Sequence, residues 1–322
     1  MHAGNFSLPH YLNTPRSWRG MRGRVALPLG VFYTVRMKLL REVLFDAKKN
    51  KQPLWHINVA SYEQLEAVAQ VSQKRNMPFL VGVSEGERTA WGVQRIADLV
   101  HMYRLEGVSL YLNADHTHSF EAIQQAVAAG FDEVLFDAGK LSLTENITKT
   151  KEVVDWVKLY NAQHGTDVLV EGELGYIGSS SVQLDSLPSD LSAHTTVEEL
   201  QTFCSSTGVD LIAPAVGNVH GMLKGMPNPP LDMECIHALA AVSPIPLVLH
   251  GGSGTDKKQI KDALRAGVLI IHISTEVRVA WRNLLEQSLA RHEGDIVPYH
   301  ILPEVIAGLT QTIERIITDT TS

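Results

Sequence analysis

From Met37 onward the chain alternates between two periodicities. Eight short apolar runs, rich in β-branched residues, predict strands at 54–58, 79–83, 108–114, 133–137, 167–173, 211–214, 247–250 and 269–274. Between them lie longer stretches with apolar residues at helical spacing, at 62–74, 89–105, 120–129, 143–164, 197–206, 233–242, 256–266 and 277–290. Residues 37–49 form a ninth such stretch, ahead of the first strand, where a helix would plug the bottom of a barrel. Strands separated by helices of this length pair in parallel through right-handed crossovers. Eight such units close into a (β/α)8 TIM barrel more naturally than they spread into an open sheet.

Composition changes this picture little. The chain has 322 residues, 44% hydrophobic and 20% charged, an ordinary globular profile. Residues 37–322 are long enough for one complete barrel, typically about 250 residues, and no second domain is visible. Residues 1–36 stand apart, with five arginines (Arg16, Arg19, Arg22, Arg24, Arg36), no acid, and an apolar stretch 25–35 broken by Pro28 and Gly30. A basic, acid-free leader can be a targeting peptide. This apolar stretch is short for one and lacks a small-x-small cleavage site, so the expectation is a disordered extension or a mis-assigned start. A further exception is the polar loop 178–196, rich in Ser, Asp and Pro; long loops inside compact domains usually serve function or motion.

The net charge of −7 offers no electrostatic footprint for nucleic acid. No apolar run approaches the roughly 18 residues that would suggest a membrane span. Two cysteines, Cys204 and Cys235, without CxxC spacing, argue against a disulfide framework and fit a reducing, cytoplasmic setting.

Chemistry collects where the predicted strands end. The third strand runs into Asp115-His116-Thr117-His118 before a helix that Ser119 can cap, which is how a barrel presents catalytic groups at its C-terminal face. Asp115 reads as a proton carrier and His116 as a metal ligand. His118 reads as a loop histidine, because two ligands two residues apart in a loop would both have to point inward. His220, in Gly217-Asn-Val-His-Gly221, and His250, closing the seventh strand, stand at two further strand ends. Three imidazoles with an open fourth position make a catalytic zinc site. The glycine-rich His250-Gly-Gly-Ser-Gly254 offers backbone N–H groups and the Ser253 hydroxyl to an anion, at the start of a helix. Ser274 and Thr275 end the eighth strand nearby, and Lys224 could supply a cation. A phosphate site on the last two βα loops is the usual barrel location; the plainer reading of Gly-Gly-Ser-Gly is a turn.

Asp115-His116, Glu171-Gly-Glu-Leu-Gly175, Gly217-Asn-Val-His-Gly221 with Lys224-Gly225, and Leu247-Val-Leu-His-Gly-Gly-Ser-Gly254 together resemble the class II, zinc-dependent fructose-bisphosphate and tagatose-bisphosphate aldolases. Ile57-Asn-Val59 and Val83-Ser-Glu-Gly86 match as well, and the resemblance runs in order from Met37 to the C-terminus. It implies a metal-dependent aldolase that cleaves or forms a ketose bisphosphate through a dihydroxyacetone phosphate enediolate. One zinc per subunit would sit on His116, His220 and His250, with a monovalent cation as a possible companion. Asp115 would exchange the hydroxyl proton at the bond being cut. Gly221, Lys224, Gly251, Gly252, Ser253, Ser274 and Thr275 would hold the phosphate, with Asn58 and Ser84 approaching the substrate. Glu173 falls where the family places an acid near the metal, as a second position; a buried acid satisfied by hydrogen bonds is the competing reading. The family assembles as homodimers or homotetramers.

Two departures stand out. The eighth strand ends His272-Ile-Ser274-Thr275, where the family has Asn-x-Asp-Thr, or Asn-x-Ala-Thr in the tagatose branch. His272 thus replaces an amide that touches the substrate. The loop after the fifth strand lacks the family's glutamate; Asp185 is a candidate substitute, beside the reading of a solvated loop aspartate. These departures feed an alternative function, a barrel that binds metal and sugar phosphate with altered substrate or reduced catalysis. A metal-dependent hydrolase would want a His-x-His pair on the first strand, which offers only His56 with Asn58; a Schiff-base aldolase would want a strand-end lysine, and the sixth strand ends Ala213-Pro214.

Overall fold

The alternating pattern folds as a closed barrel. The computed structural model describes residues 24–26, 32–34, 37–178 and 181–321. Eight parallel strands neighbour one another in chain order: β1 (Leu54–Asn58), β2 (Phe79–Gly82), β3 (Leu110–Thr117), β4 (Glu133–Phe136), β5 (Leu169–Leu174), β6 (Leu211–Pro214), β7 (Leu247–Leu249) and β8 (Val268–Ile273). β8 pairs back onto β1, so the sheet has no edge.

The bottom of the barrel is closed by helix α1 (Leu40–Asn50). It turns Leu40, Val43, Leu44 and Ala47 onto an inner layer that includes Leu54, Leu80, Tyr111, Leu169, Leu211 and Val248. Each large apolar side chain buried this way contributes about 1.5–3 kcal/mol relative to its exposed state. Helices α2 (Tyr62–Arg75), α3 (Glu85–Trp91), α4 (Val93–Leu105), α5 (Phe120–Ala129), α6 (Leu143–His164), α7 (Val197–Thr207), α8 (Met233–Val242), α9 (Lys257–Ala266) and α10 (Thr275–Arg291) surround the sheet. Their starts are set by side-chain caps: Ser61, Ser119, Ser142, Thr196, Asp232 and Asp256 each accept a hydrogen bond from a first-turn N–H.

Two features of the helical shell differ from the periodicity. The stretch predicted as one helix from 89 to 105 breaks at Gly92, whose φ of +86° no L side chain adopts comfortably, and helix resumes upstream as far as Glu85. A last helix, α11 (Pro298–Thr321), follows α10 and packs on α10 and α2 through Val305, Leu309, Ile313, Ile316 and Ile317. Two prolines obscured it. Pro298 is its first residue, where a missing N–H costs nothing, and Pro303 lies only five residues further on. Gly308 gives α10 room, since a Cβ there would stand 2.4 Å from Leu284 Cδ2.

Above the apolar layer the interior turns polar. His56, Asn113, Glu133, Glu171 and His250 are all without solvent exposure. Burying such groups is unfavourable unless they hydrogen-bond or bind something, so this half of the barrel is where function would be sought. Residues 183–184 of the loop after β5 pair in parallel with residues 222–223 of the loop after β6, tying the two loops across the barrel mouth. The 1–36 leader lies mostly outside the described residues; the backbone at Arg24–Ala26 pairs antiparallel with Phe32–Thr34.

Candidate active site

Asp115 and His116 are neighbours on a strand, and successive strand side chains face opposite ways. Both nevertheless reach the barrel mouth, because β3 carries a bulge. Ala114 pairs with Val134 and Thr117 with Phe136, so one extra residue is accommodated between them. His116 absorbs it at φ +40°, a left-handed conformation that is uncommon for a non-glycine residue. The buried Arg88 of α3 clamps the bulge: its guanidinium donates to the carbonyls of Val83 and Asp115 and to Thr117 Oγ1.

Around this bulge the distant histidines converge. The ring centroid of His116 lies 4.5 Å from that of His220 and 5.1 Å from that of His250, and His220 and His250 are 5.7 Å apart. Ligand atoms of His116, Glu173, His220 and His250 all fall within 4.8 Å of one another. Carboxylates orient two of the rings from behind. His116 Nδ1 lies 2.8 Å from Asp137 Oδ2, and His250 Nε2 lies 2.8 Å from Glu171 Oε1. That leaves His116 Nε2, His220 Nε2, His250 Nδ1 and both Glu173 oxygens buried with no hydrogen-bond partner among the described residues. Several orphaned ligand atoms in one buried place, with acid partners behind the rings, fit a metal ion. Glu173 is also 3.4 Å from both His116 Nδ1 and His250 Nδ1. His118 is half exposed and stays outside this cluster, its N–H donating to Glu85 of α3 and its Nδ1 lying 3.3 Å from the Asp137 carbonyl.

The electrostatics keep Asp115 charged. Burial would raise its pKa, but His116, His56 and His250 together with the 2.7 Å hydrogen bond from Asn58 Nδ2 hold it well below the usual carboxylate range. Asp137 is likewise held down to about 2, its burial outweighed by His116. Burial would lower His116, yet Asp115, Glu173 and Asp137 raise it to about 9. His220 moves the other way, far below its ordinary value, through burial and the neighbouring His116 and His250. An ion entering here therefore displaces protons from a site already rich in carboxylates.

Beside the cluster lies a small cleft lined by Asn58, Asp115, His116, Ser181, His220, Gly221, Gly251, Ser253, His272, Ser274 and Thr275. Its far side suits an anion. Gly221 and Gly251 have φ of +96° and +66°, and a Cβ on Gly251 would sit 2.2 Å from the Val219 carbonyl oxygen. Ser253 Oγ accepts hydrogen bonds from the N–H groups of Ser274 and Glu276, knitting the β7 loop to the N-terminus of α10. Ser274 Oγ is buried and has no hydrogen-bond partner among the described residues. A helix N-terminus, glycine backbone and a spare hydroxyl together favour a bound oxyanion.

Some residues singled out in the sequence stand elsewhere. Lys224 Nζ pairs with Asp185 Oδ1 at 2.8 Å, both exposed, and neither lines the cleft. Ser84 caps α3 instead, its N–H donating to Glu87. Gly252 lies behind the loop, against the His272 carbonyl and Ile271. Sequence reasoning missed the supports: Arg88, Asn218, which donates to the His250 carbonyl, and Asn228, which donates to the carbonyls of Gly221 and Ser253. Asp137 and Glu171 were visible at strand ends, but nothing in their spacing marked them as partners of particular rings.

A parallel eight-stranded barrel with converging histidines, an ionised aspartate and an anion cradle at its C-terminal face has the layout of a metal-dependent carbon–carbon lyase. Residues 38–322 match the family model described as fructose-bisphosphate aldolase class-II. The chain belongs to that family and is an aldolase. It is 33% identical over 280 residues to a fructose-bisphosphate aldolase of Staphylococcus aureus, spanning 85% of this chain and 94% of the relative. It is 32% identical over 277 residues to a 6-phospho-5-dehydro-2-deoxy-D-gluconate aldolase of Shouchella clausii, spanning 85% and 90%. The crystal structure of the YdjI aldolase from Escherichia coli K12 superposes with a TM-score of 0.73 at 26% identity, covering 88% of this chain and 97% of that one. No helix among the described residues is long and apolar enough to cross a membrane.

Proposed function

We propose that the protein cleaves, and in reverse forms, a ketose 1,6-bisphosphate of the fructose or tagatose type, with dihydroxyacetone phosphate as one product. The observation that carries this reading is the set of unpartnered ring nitrogens on His116, His220 and His250 facing Asp115 beside the anion cradle. The ion they would hold is zinc, which imidazole ligands suit, with Glu173 as a further position. When bound, it supplies Lewis-acid stabilisation of the negative charge that develops when a bond next to a carbonyl breaks.

The chain's own groups do the rest. Asp115, held as a carboxylate by Asn58 and its histidine neighbours, takes the proton from the hydroxyl at the scissile bond and returns it in condensation. Gly221, Gly251, Ser253, Ser274 and Thr275 hold the phosphate and so fix the three-carbon half against Asp115. Asn58 restrains Asp115 through its 2.7 Å hydrogen bond and lines the cleft beside it. The Shouchella clausii relative, named for 6-phospho-5-dehydro-2-deoxy-D-gluconate, keeps a second phosphorylated substrate in view, and the exposed Asp185–Lys224 pair supports a second reading in which loop 178–196 brings no base and turnover is slow. We place the enzyme in the cytoplasm as a homodimer or homotetramer acting on a free sugar phosphate.

The deciding experiment is a panel assay. Zinc-loaded protein should release triose phosphate from at least one of fructose and tagatose 1,6-bisphosphate and lose that activity on chelation. Tight sugar-phosphate binding without release from any ketose bisphosphate would establish the second reading. We further propose that residues 37–322 are the whole catalytic unit. Deleting residues 1–36 should leave melting temperature and turnover unchanged; a lower melting temperature would make the leader part of the fold.

A further inference from the structure

One inner layer of the barrel departs from the branched apolar filling usual in this fold. β4 turns Val134 and Phe136 into the core on the helix side, so Glu133 points inward, with no solvent exposure. On β5, Leu169 belongs to the inner apolar layer, so Glu171, two residues on, faces the same interior. Glu133 stands opposite Leu169 and Leu135 opposite Glu171. The two acids are therefore diagonal neighbours on one inner wall, and their side chains lie against each other.

Their surroundings leave a proton unassigned. Neither Glu133 oxygen has a hydrogen-bond partner among the described residues. Glu171 uses only Oε1, 2.8 Å from His250 Nε2, and its Oε2 is buried with no partner among the described residues. Asn113, directly across from Glu133 on β3, is buried and uncharged. Two carboxyl groups side by side in a dry interior cannot both ionise, so one proton stays with the pair. The ring N–H of His250 stabilises a charge on Glu171, whereas Glu133 has no such donor. The proton therefore belongs on Glu133, and burial together with the adjacent Glu171 pushes its pKa far up in agreement.

We infer that Glu133 is a positioning residue for the metal centre: its carboxyl O–H donates to Glu171 Oε2, which keeps Glu171 a carboxylate and His250 in the tautomer whose Nδ1 is free for a metal. This rests on the reading of His250 as a ligand. The support runs in sequence from Glu133 to Glu171 to His250. Were the proton on Glu171 instead, Glu171 could donate to His250 Nε2 and send the ring proton to Nδ1, the atom that has to face the ion. A neighbouring acid that retains the proton removes this competing state and fixes the ring from behind.

Zinc binding alone, read by competition with a chelator, tests this without turnover. Glu133→Leu should weaken zinc about 10- to 100-fold, the usual effect of losing a group that supports a metal-bound histidine. Glu133→Gln keeps an N–H donor for Glu171 Oε2 and should bind zinc at the parent level. Infrared difference spectra of the zinc-loaded parent against Glu133→Gln should show, at neutral pH, the carbonyl stretch of a protonated carboxyl group in the parent alone; this comparison decides even if Glu133→Leu does not fold. Parent-level zinc affinity in Glu133→Leu, equal loss in both variants, or no protonated carboxyl in the parent would overturn the inference. So would a second ion found by elemental analysis in the parent and missing from Glu133→Gln, because a cation and not a proton would then join the two acids. A parent that binds zinc but cleaves no ketose bisphosphate would count against the proposed reaction alone.

Discussion

Asp115→Ala should reduce carbon–carbon bond cleavage by about 10²–10⁴-fold, the range a positioned acid–base group contributes, while zinc per subunit stays at the parent value. The separation follows from geometry. Asp115 Oδ1 has no hydrogen-bond partner among the described residues and lies 3.8 Å from His116 Nε2, and Oδ2 accepts from Asn58. The metal-oriented carboxylates are others, Asp137 behind His116 and Glu171 behind His250. Removing Asp115 therefore takes away the proposed proton carrier and leaves the ring orientations in place. Steady-state turnover together with elemental analysis of the same preparation checks both halves. Retained turnover would remove Asp115 from its role.

The second large effect is expected at His250. His250→Ala should abolish zinc retention and, with it, activity. It should also lower the melting temperature more than Asp115→Ala does. His250 is fully buried, and its Nε2 partners a fully buried Glu171 oxygen. Taking away one member of a buried charged pair strands the other, at a cost of about 3–5 kcal/mol. Glu133 shares this buried space, and burial and the adjacent Glu171 push its own pKa far up. Equal zinc in variant and parent would refute the ligand assignment.

Most of the fold was legible because its signal is local. β1, α5, α6, β6 and α8 carry the very limits that apolar periodicity predicts. What escaped was set by tertiary context. The kink at Gly92 depends on a dihedral, and α11 hid behind Pro298, which a helix start tolerates, and Pro303 inside its second turn. In the site, the residues at strand ends could be named from sequence, since parallel barrels display them on one face. Their pairing could not. Nothing along the chain says that Glu171 backs His250 and not His116, or that Lys224 turns outward to Asp185. His272 was recognisable as an oddity; that it lies on His56, in a hollow left by Gly82, is a statement about three strands at once.

The extra residue in β3 makes this aldolase unforgiving of small deletions. Deleting either residue between Ala114 and Thr117 would restore regular pairing with β4 and remove one of the two groups, Asp115 or His116, that the bulge brings to the barrel mouth together. The barrel would still close, and a purified protein of normal size and helix content would result. It should cleave no ketose bisphosphate, and a panel assay on such a deletion variant checks this.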